Sequence, residues 1–198
     1  MLARWSALVS RTLMTTGTFE EITILIAWAA SIAASLILFP NAQGAIGGGL
    51  AVLMIAIAII DARRFIIPDE LTAAALALGF LHAAIQASDL VMEALASAAL
   101  RGVVLAFAFL SLRILYRLIR GREGIGLGDV KLAGVAGVWL DWSMAPVAIE
   151  IAALTALVAY GIRLLWKGRS VRAASRLPFG LFFAPAIWIG WLLQATLF

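Results

Sequence analysis

The chain has 198 residues, 64% of them hydrophobic and 13% charged, with a formal net charge of +4. Water-soluble domains run near 45–50% apolar and about 25% charged, so an ordinary soluble globule is excluded. With a mean hydropathy of +1.06, the chain reads instead as polytopic: seven spans of ~20 residues would occupy about 140 residues and leave only short loops.

The pattern predicts an all-α transmembrane helix bundle of about six to seven spans. Residues 1–20 are Ser/Thr-rich, carry Arg4 and Arg11, and lack a signal-peptide pattern, so they read as an uncleaved cytosolic or interfacial segment. Residues 21–198 then form one transmembrane domain. Spans are expected at 21–39, ending at the Pro40-Asn41 turn, and at about 45–60, which the glycine-rich stretch Gly44, Gly47, Gly48 and Gly49 opens. Further spans are expected at 70–87, 95–118, 130–147, 148–166 and 179–197, with Asp141, Pro146 and Glu150 interrupting the fifth and sixth. Glycines within these segments permit close helix approach. No internal repeat is evident, which disfavours repeat-built transporter folds.

Scarce residue types narrow the chemistry. Without cysteine there is no disulfide, thiolate metal site or cysteine nucleophile. The single histidine, His82, cannot build a His-rich metal site and reads as a structural or interfacial side chain. No serine sits in a nucleophile elbow, so any catalysis rests on the eleven carboxylates. Neither a metal nor a cofactor is expected. The pI of 10.3 raises nucleic acid, but the basic residues flank apolar runs and form no aromatic-interleaved patch. They act as topology signals. With the N-terminus in the cytoplasm and the spans alternating, 14 of the 15 basic residues fall inside, and Arg101 alone falls outside with Asp89, Glu93 and Asp141. The same argument makes the lipid bilayer a partner and nucleic acid not one. Seven Trp residues, Trp139, Trp142, Trp188 and Trp191 among them, are expected near span ends, where such rings favour the interface.

This topology exposes two unusual acids. Asp61 follows the apolar run 51–60, and Asp129 opens the fifth span, 68 positions later, yet both fall at the cytoplasmic boundary. An ionisable group there is costly unless paired or used. One local reading has Asp61 paired with Arg64, and Asp129 as a helix N-cap near Lys131. The other has them acting together. Gly126 and Gly128 allow positive φ or close approach of another backbone beside Asp129. Pro68 fits a helix start, Asp69 and Glu70 suit its positive end, and Thr72 is a polar neighbour. Two aspartates held together cannot both ionise cheaply: one keeps a proton as general acid while the other activates water.

Asp61-Ala-Arg-Arg-Phe-Ile-Ile-Pro68-Asp69-Glu-Leu-Thr72 resembles the D-x5-(I/L)-P-(D/N)-x-L-T segment of type IV prepilin peptidases, and Gly126-Leu-Gly128-Asp129-Val-Lys131-Leu resembles their GxGD motif with its V/F-K-L continuation. Leu177-Pro-Phe-Gly180 resembles a third, PFGP-like segment, except that Leu181 stands where the second proline would be. The resemblance covers about 45–190 and implies a membrane aspartyl protease of the GxGD kind with Asp61 and Asp129 as the catalytic pair. By the same resemblance Asp69 supports the site, alongside Gly126, Gly128, Pro68, Thr72 and Lys131. The implied substrate is a prepilin or pseudopilin whose basic leader is cut at the cytoplasmic face of a bacterial inner membrane. Lacking cysteine and the paired-CxxC insertion of bifunctional members, the chain looks more like the short, peptidase-only type of tight-adherence (Flp) pili. Attraction of a basic leader would fall to Asp69, Glu70 or Glu123. A presenilin-like protease fits less well, since Ile60 precedes Asp61 and no Pro-Ala-Leu occurs. The alternative from another class is a proton- or cation-coupled transporter using Asp61, Asp129 and Glu150, against which the acids cluster at one surface instead of the midplane.

Overall fold

The computed structural model describes residues 18–87, 89–167 and 178–197. The N-terminal segment up to residue 17, Ser88, the basic stretch 168–177 with Leu177 at its end, and Phe198 lie outside the described residues. Within them are seven helices: α1 (Thr18–Leu38), α2 (Ala42–Arg64), α3 (Asp69–Gln86), α4 (Val91–Arg120), α5 (Leu127–Trp139), α6 (Met144–Lys167) and α7 (Gly180–Leu197). No strand occurs among the described residues. Four segments are long and apolar enough to cross a membrane, Ala42–Arg64, Val91–Arg120, Met144–Leu165 and Gly180–Leu197, and Ile22–Leu38 is a shorter apolar helix. The chain is a multi-pass helical membrane protein.

Local chemistry sets the helix ends. The Asn41 side chain accepts hydrogen bonds from the Gln43 and Gly44 backbone N–H groups at 3.0 and 3.3 Å, capping α2 after the Pro40 turn. At its other end Phe65 takes a left-handed conformation, φ 55°, and donates its N–H to the Asp61 carbonyl at 2.9 Å. That left-handed residue turns the chain so that Pro68 can start α3.

The fifth span differs from expectation. In place of a span over 130–147, α5 stops at Trp139 and α6 begins at Met144, not at 148. The Asp141 carbonyl accepts the N–H groups of Met144 and Ala145 at 3.1 and 2.9 Å and so founds a new helix. Pro146 falls in the first turn of α6, where its missing N–H is harmless. At 1.5 Å per residue the 13 residues of α5 run about 20 Å, short of the ~30 Å hydrocarbon core. A short helix is tolerable there because α5 is central: residues 132–140 are buried without a break. Irregular backbone at membrane depth is accepted where protein covers it, and the Asp141 N–H finds the Gln194 side chain at 2.7 Å. At the same end Arg101 donates to the Gly137 carbonyl at 3.2 Å and lies 3.8 Å from Asp141, a cation at a helix C-terminus. Asp129 and Asp141 therefore belong to opposite ends of α5, as the charge sorting requires.

Around α5 pack α3, α4 and α7, while α2 lies against α3 and α7, and the helices share a core containing Leu50, Met54, Ile57, Leu132, Val135, Phe183 and Ile187. Two of the tryptophans expected at the interface are interior instead. Trp139 and Trp191 are fully buried, whereas Trp142 is exposed. Trp139 donates to the Ala75 carbonyl at 2.9 Å, and His82 stacks on its ring at 5.2 Å. Trp191 donates to His82 Nε2 at 3.3 Å. The glycines of α2 explain how such large rings fit. A Cβ on Gly47 would lie 1.9 Å from the Trp191 ring, so only glycine leaves the groove that this side chain fills. His82 is thus a structural member of an aromatic cluster.

Candidate active site

Four chain segments meet at one end of the bundle: the last turn of α2, the turn 65–68, the start of α5 and the start of α7. Ile67 of that turn lies against the starts of both α5 and α7. A Cβ added to Gly128 would lie 2.9 Å from Ile67 Cβ, and one added to Gly180 would lie 2.9 Å from Ile67 Cδ1 and 2.8 Å from Asp61 Oδ2. The glycines at 128 and 180 therefore let α5 and α7 close on the turn. At Gly126 the freedom used is also closeness, with φ at −71°, and positive φ is not needed there.

Asp61 is 6% exposed, and its Oδ2 accepts the Leu181 backbone N–H at 3.0 Å. The donor belongs to the first turn of α7, so the carboxylate caps the positive end of that helix from a distance of 120 residues in sequence. A proline at 181, as in the resembling pattern, would carry no N–H. This bond is a property of the leucine in this chain.

Asp129 is the third residue of α5 and lies outside the four spanning segments. Its Oδ2 accepts the Gly126 N–H at 3.0 Å, which makes it a capping residue from inside the first turn and not the N-cap itself. Burial pushes its carboxyl from the ordinary aspartate range up to about 6. The Gly126 N–H opposes that rise, the negative charge of Asp61 adds to it, and the Arg113 guanidinium opposes it. The two aspartates are thus near enough for Asp129 to sense the charge of Asp61.

The supporting residues are sorted differently from expectation. Lys131 pairs with Asp69 and not with Asp129, tying the start of α5 to the start of α3. Pro68 is the N-cap of α3, and the buried Thr72 gives its hydroxyl proton to the Pro68 carbonyl at 2.9 Å. Thr72 therefore braces the turn that holds Ile67. Glu123 accepts from Arg113 at 2.8 Å, so two of the acids offered for a basic leader are already held by cations. Sequence reasoning missed Leu181, whose contribution is a backbone N–H without side-chain signature, and Arg113, counted only as a topology signal. An arginine flanked by apolar residues on both sides in Phe109-Leu-Ser-Leu-Arg113-Ile-Leu was the available sign.

Residues 49–161, which contain both aspartates, match the type IV leader peptidase family. A prepilin leader peptidase/N-methyltransferase of Burkholderia pseudomallei is 36% identical over 163 residues, 81% of this chain and 50% of the relative. One from Pectobacterium carotovorum is 33% identical over 175 residues, 83% of this chain and 56% of the relative. The leader peptidase HopD of Escherichia coli is 33% identical over 132 residues, 66% of this chain and 82% of the relative. The chain spans about half the length of the bifunctional relatives and more of the short one. No solved structure matches the chain.

Proposed function

The chain belongs to the type IV leader peptidase family, and from that premise we propose that it is an aspartyl endopeptidase that removes the leader of a prepilin or pseudopilin. The single observation that carries the reading is the meeting of Asp61 and Asp129, 68 positions apart in sequence, within mutual electrostatic reach. Each has one carboxylate oxygen held by a backbone N–H, which fixes it and leaves the other oxygen for chemistry. A water between the carboxylates loses a proton to the ionised one as its oxygen attacks the scissile carbonyl carbon. The protonated one donates toward the carbonyl oxygen. When the tetrahedral intermediate collapses, the C–N bond breaks and the departing nitrogen takes a proton from the pair. Burial that lifts the proton affinity of Asp129 favours the singly protonated pair near neutral pH.

The N-terminus of the chain is cytoplasmic in this proposal, the membrane is a bacterial inner membrane, and residues 21–198 act as one peptidase domain. Gly126, Gly128, Pro68, Asp69, Thr72 and Lys131 shape the cleft. The substrate's apolar helix packs against the spans while its leader remains in water. The lack of cysteine fits the peptidase-only type that serves Flp pili. Methyl transfer is outside the proposal, since a carboxylate pair hydrolyses a peptide without supplying a methyl group. The names of the relatives favour a peptidase over the transporter alternative. Co-expression with a candidate prepilin tests the reading by the mobility of the pilin. Processing by the parent and none by well-expressed Asp61→Asn or Asp129→Asn is expected; processing by either variant overturns the assignment.

A further inference from the structure

Arg113 lies on α4, outside every motif used so far, and its side chain is only 13% exposed. Its guanidinium makes two planned-looking contacts on one segment: Nη1 donates to the Ile125 carbonyl at 2.7 Å and Nη2 to Glu123 Oε1 at 2.8 Å. The carbonyl of Ile125 and the N–H of Gly126 are the two ends of one peptide group. That N–H is the donor to Asp129 Oδ2 at 3.0 Å. A rigid, planar unit thus connects a cation on one side to a candidate catalytic carboxylate on the other. Gripping the oxygen fixes the direction of the N–H, and a charge-assisted bond to a carbonyl strengthens the donor at the far end of the same amide.

We propose that Arg113 is a positioning residue for Asp129, acting through the Ile125–Gly126 peptide group to orient its carboxylate and set its proton affinity. The proposal deepens the peptidase reading and rests on it for the role of Asp129. Glu123 holds the second arm of the fork, so that the guanidinium cannot swing away from Ile125. An arginine suits this position better than a lysine because its planar fork satisfies both acceptors at once, while an ammonium is a point donor. Other arginines near this end of the bundle supply the inward positive charge equally well, so topology alone does not require a fork at 113.

The test titrates the Asp129 carboxyl in purified full-length protein by infrared spectroscopy, assigning its protonated band by loss in Asp129→Asn. Leader cleavage is followed against pH in parallel. Removing the cation and releasing the peptide group both raise the proton affinity of Asp129. In Arg113→Gln the band is expected to persist about 1 pH unit higher than in the parent, the size of one charge-assisted hydrogen bond. Arg113→Lys keeps the charge and one donor and is expected to shift by about half as much in the same direction. Turnover falls about tenfold in Arg113→Gln with KM little changed, and the pH profile of cleavage moves with the band. Either variant, helical by circular dichroism and titrating as the parent does, overturns the positioning role; Arg113→Lys carries the test if Arg113→Gln does not fold. The infrared arm needs no substrate. Shifted bands in a protein whose parent cleaves no prepilin would sink the peptidase reading and leave the link from Arg113 to Asp129 standing.

Discussion

Gly180→Ala is the sharpest steric probe of the site. The added methyl would lie 2.8 Å from Asp61 Oδ2, 3.0 Å from its Cγ and 2.9 Å from Ile67 Cδ1, all at or inside the closest approach of real Cβ atoms. The Ile67 methyl is the end of a flexible side chain and can rotate aside. The Asp61 carboxylate is short, buried and tethered to Leu181, so it must give by some tenths of an ångström or break that bond. Overpacking of this kind costs about 1–3 kcal/mol, offset by up to about 1 kcal/mol from the better helix propensity of alanine. Stability should therefore fall by about 0–3 kcal/mol. Turnover should fall as well: an ångström of displacement of a reacting group can cost about 100-fold, so some tenths of an ångström should cost up to about tenfold. The assay is steady-state cleavage of a leader-bearing peptide by purified protein, with helicity checked in the same preparation. Gly161→Ala is the control, since a Cβ there meets nothing within 4 Å. Full activity in Gly180→Ala would refute the geometry placing α7 against Asp61.

Four further variants have outcomes fixed by these contacts. Leu181→Pro removes the N–H donor to Asp61 at a helix position that tolerates proline. The protein should fold and cleave within about tenfold of the parent, the worth of one hydrogen bond to a charged group; loss of the fold would contradict this account of the first turn of α7. With a carboxyl pushed up to about 6, Asp129 stabilises the protein while protonated, below the ordinary aspartate range, and that contribution is lost as pH rises through about 6. Asp129→Asn should accordingly melt higher than the parent at pH 8 and at the same temperature near pH 4, and thermal scans at the two pH values decide. Gly47→Ala drives a methyl into the Trp191 ring at 1.9 Å and should lower the melting temperature clearly, whereas Lys131→Ala loses an exposed ion pair worth about 0–1 kcal/mol and should barely move it.

Much of this was legible because charge is so scarce. Sorting the arginines and lysines by segment brought Asp61 and Asp129 to one end of the bundle, and α5, with Asp129 at its start and Asp141 just past its end, shows that separation directly. Helix existence followed from apolar runs, but the length of α5 did not. Asp141 and Pro146 interrupt the apolar stretch 130–147, but the bond from Asp141 N–H to Gln194 and the carbonyl of Asp141 decide where one helix stops and the next begins. Tryptophan chemistry misled for a related reason. The interfacial preference of the ring is weaker than a glycine-lined groove that fits it, as at Gly47 and Trp191. The partners of the site were least legible. Leu181 works through its backbone, and Arg113 reads in sequence as one more inward cation until its guanidinium is seen on the Ile125 carbonyl.

The central claim is that Asp61 and Asp129 act as one unit on a leader peptide. Single-turnover cleavage by protein in lipid vesicles, comparing Asp61→Asn, Asp129→Asn and the double variant, tests it directly. Groups that act together are non-additive, so each single variant should be as inactive as the double. Two partial losses that multiply to the loss in the double variant would contradict a shared site.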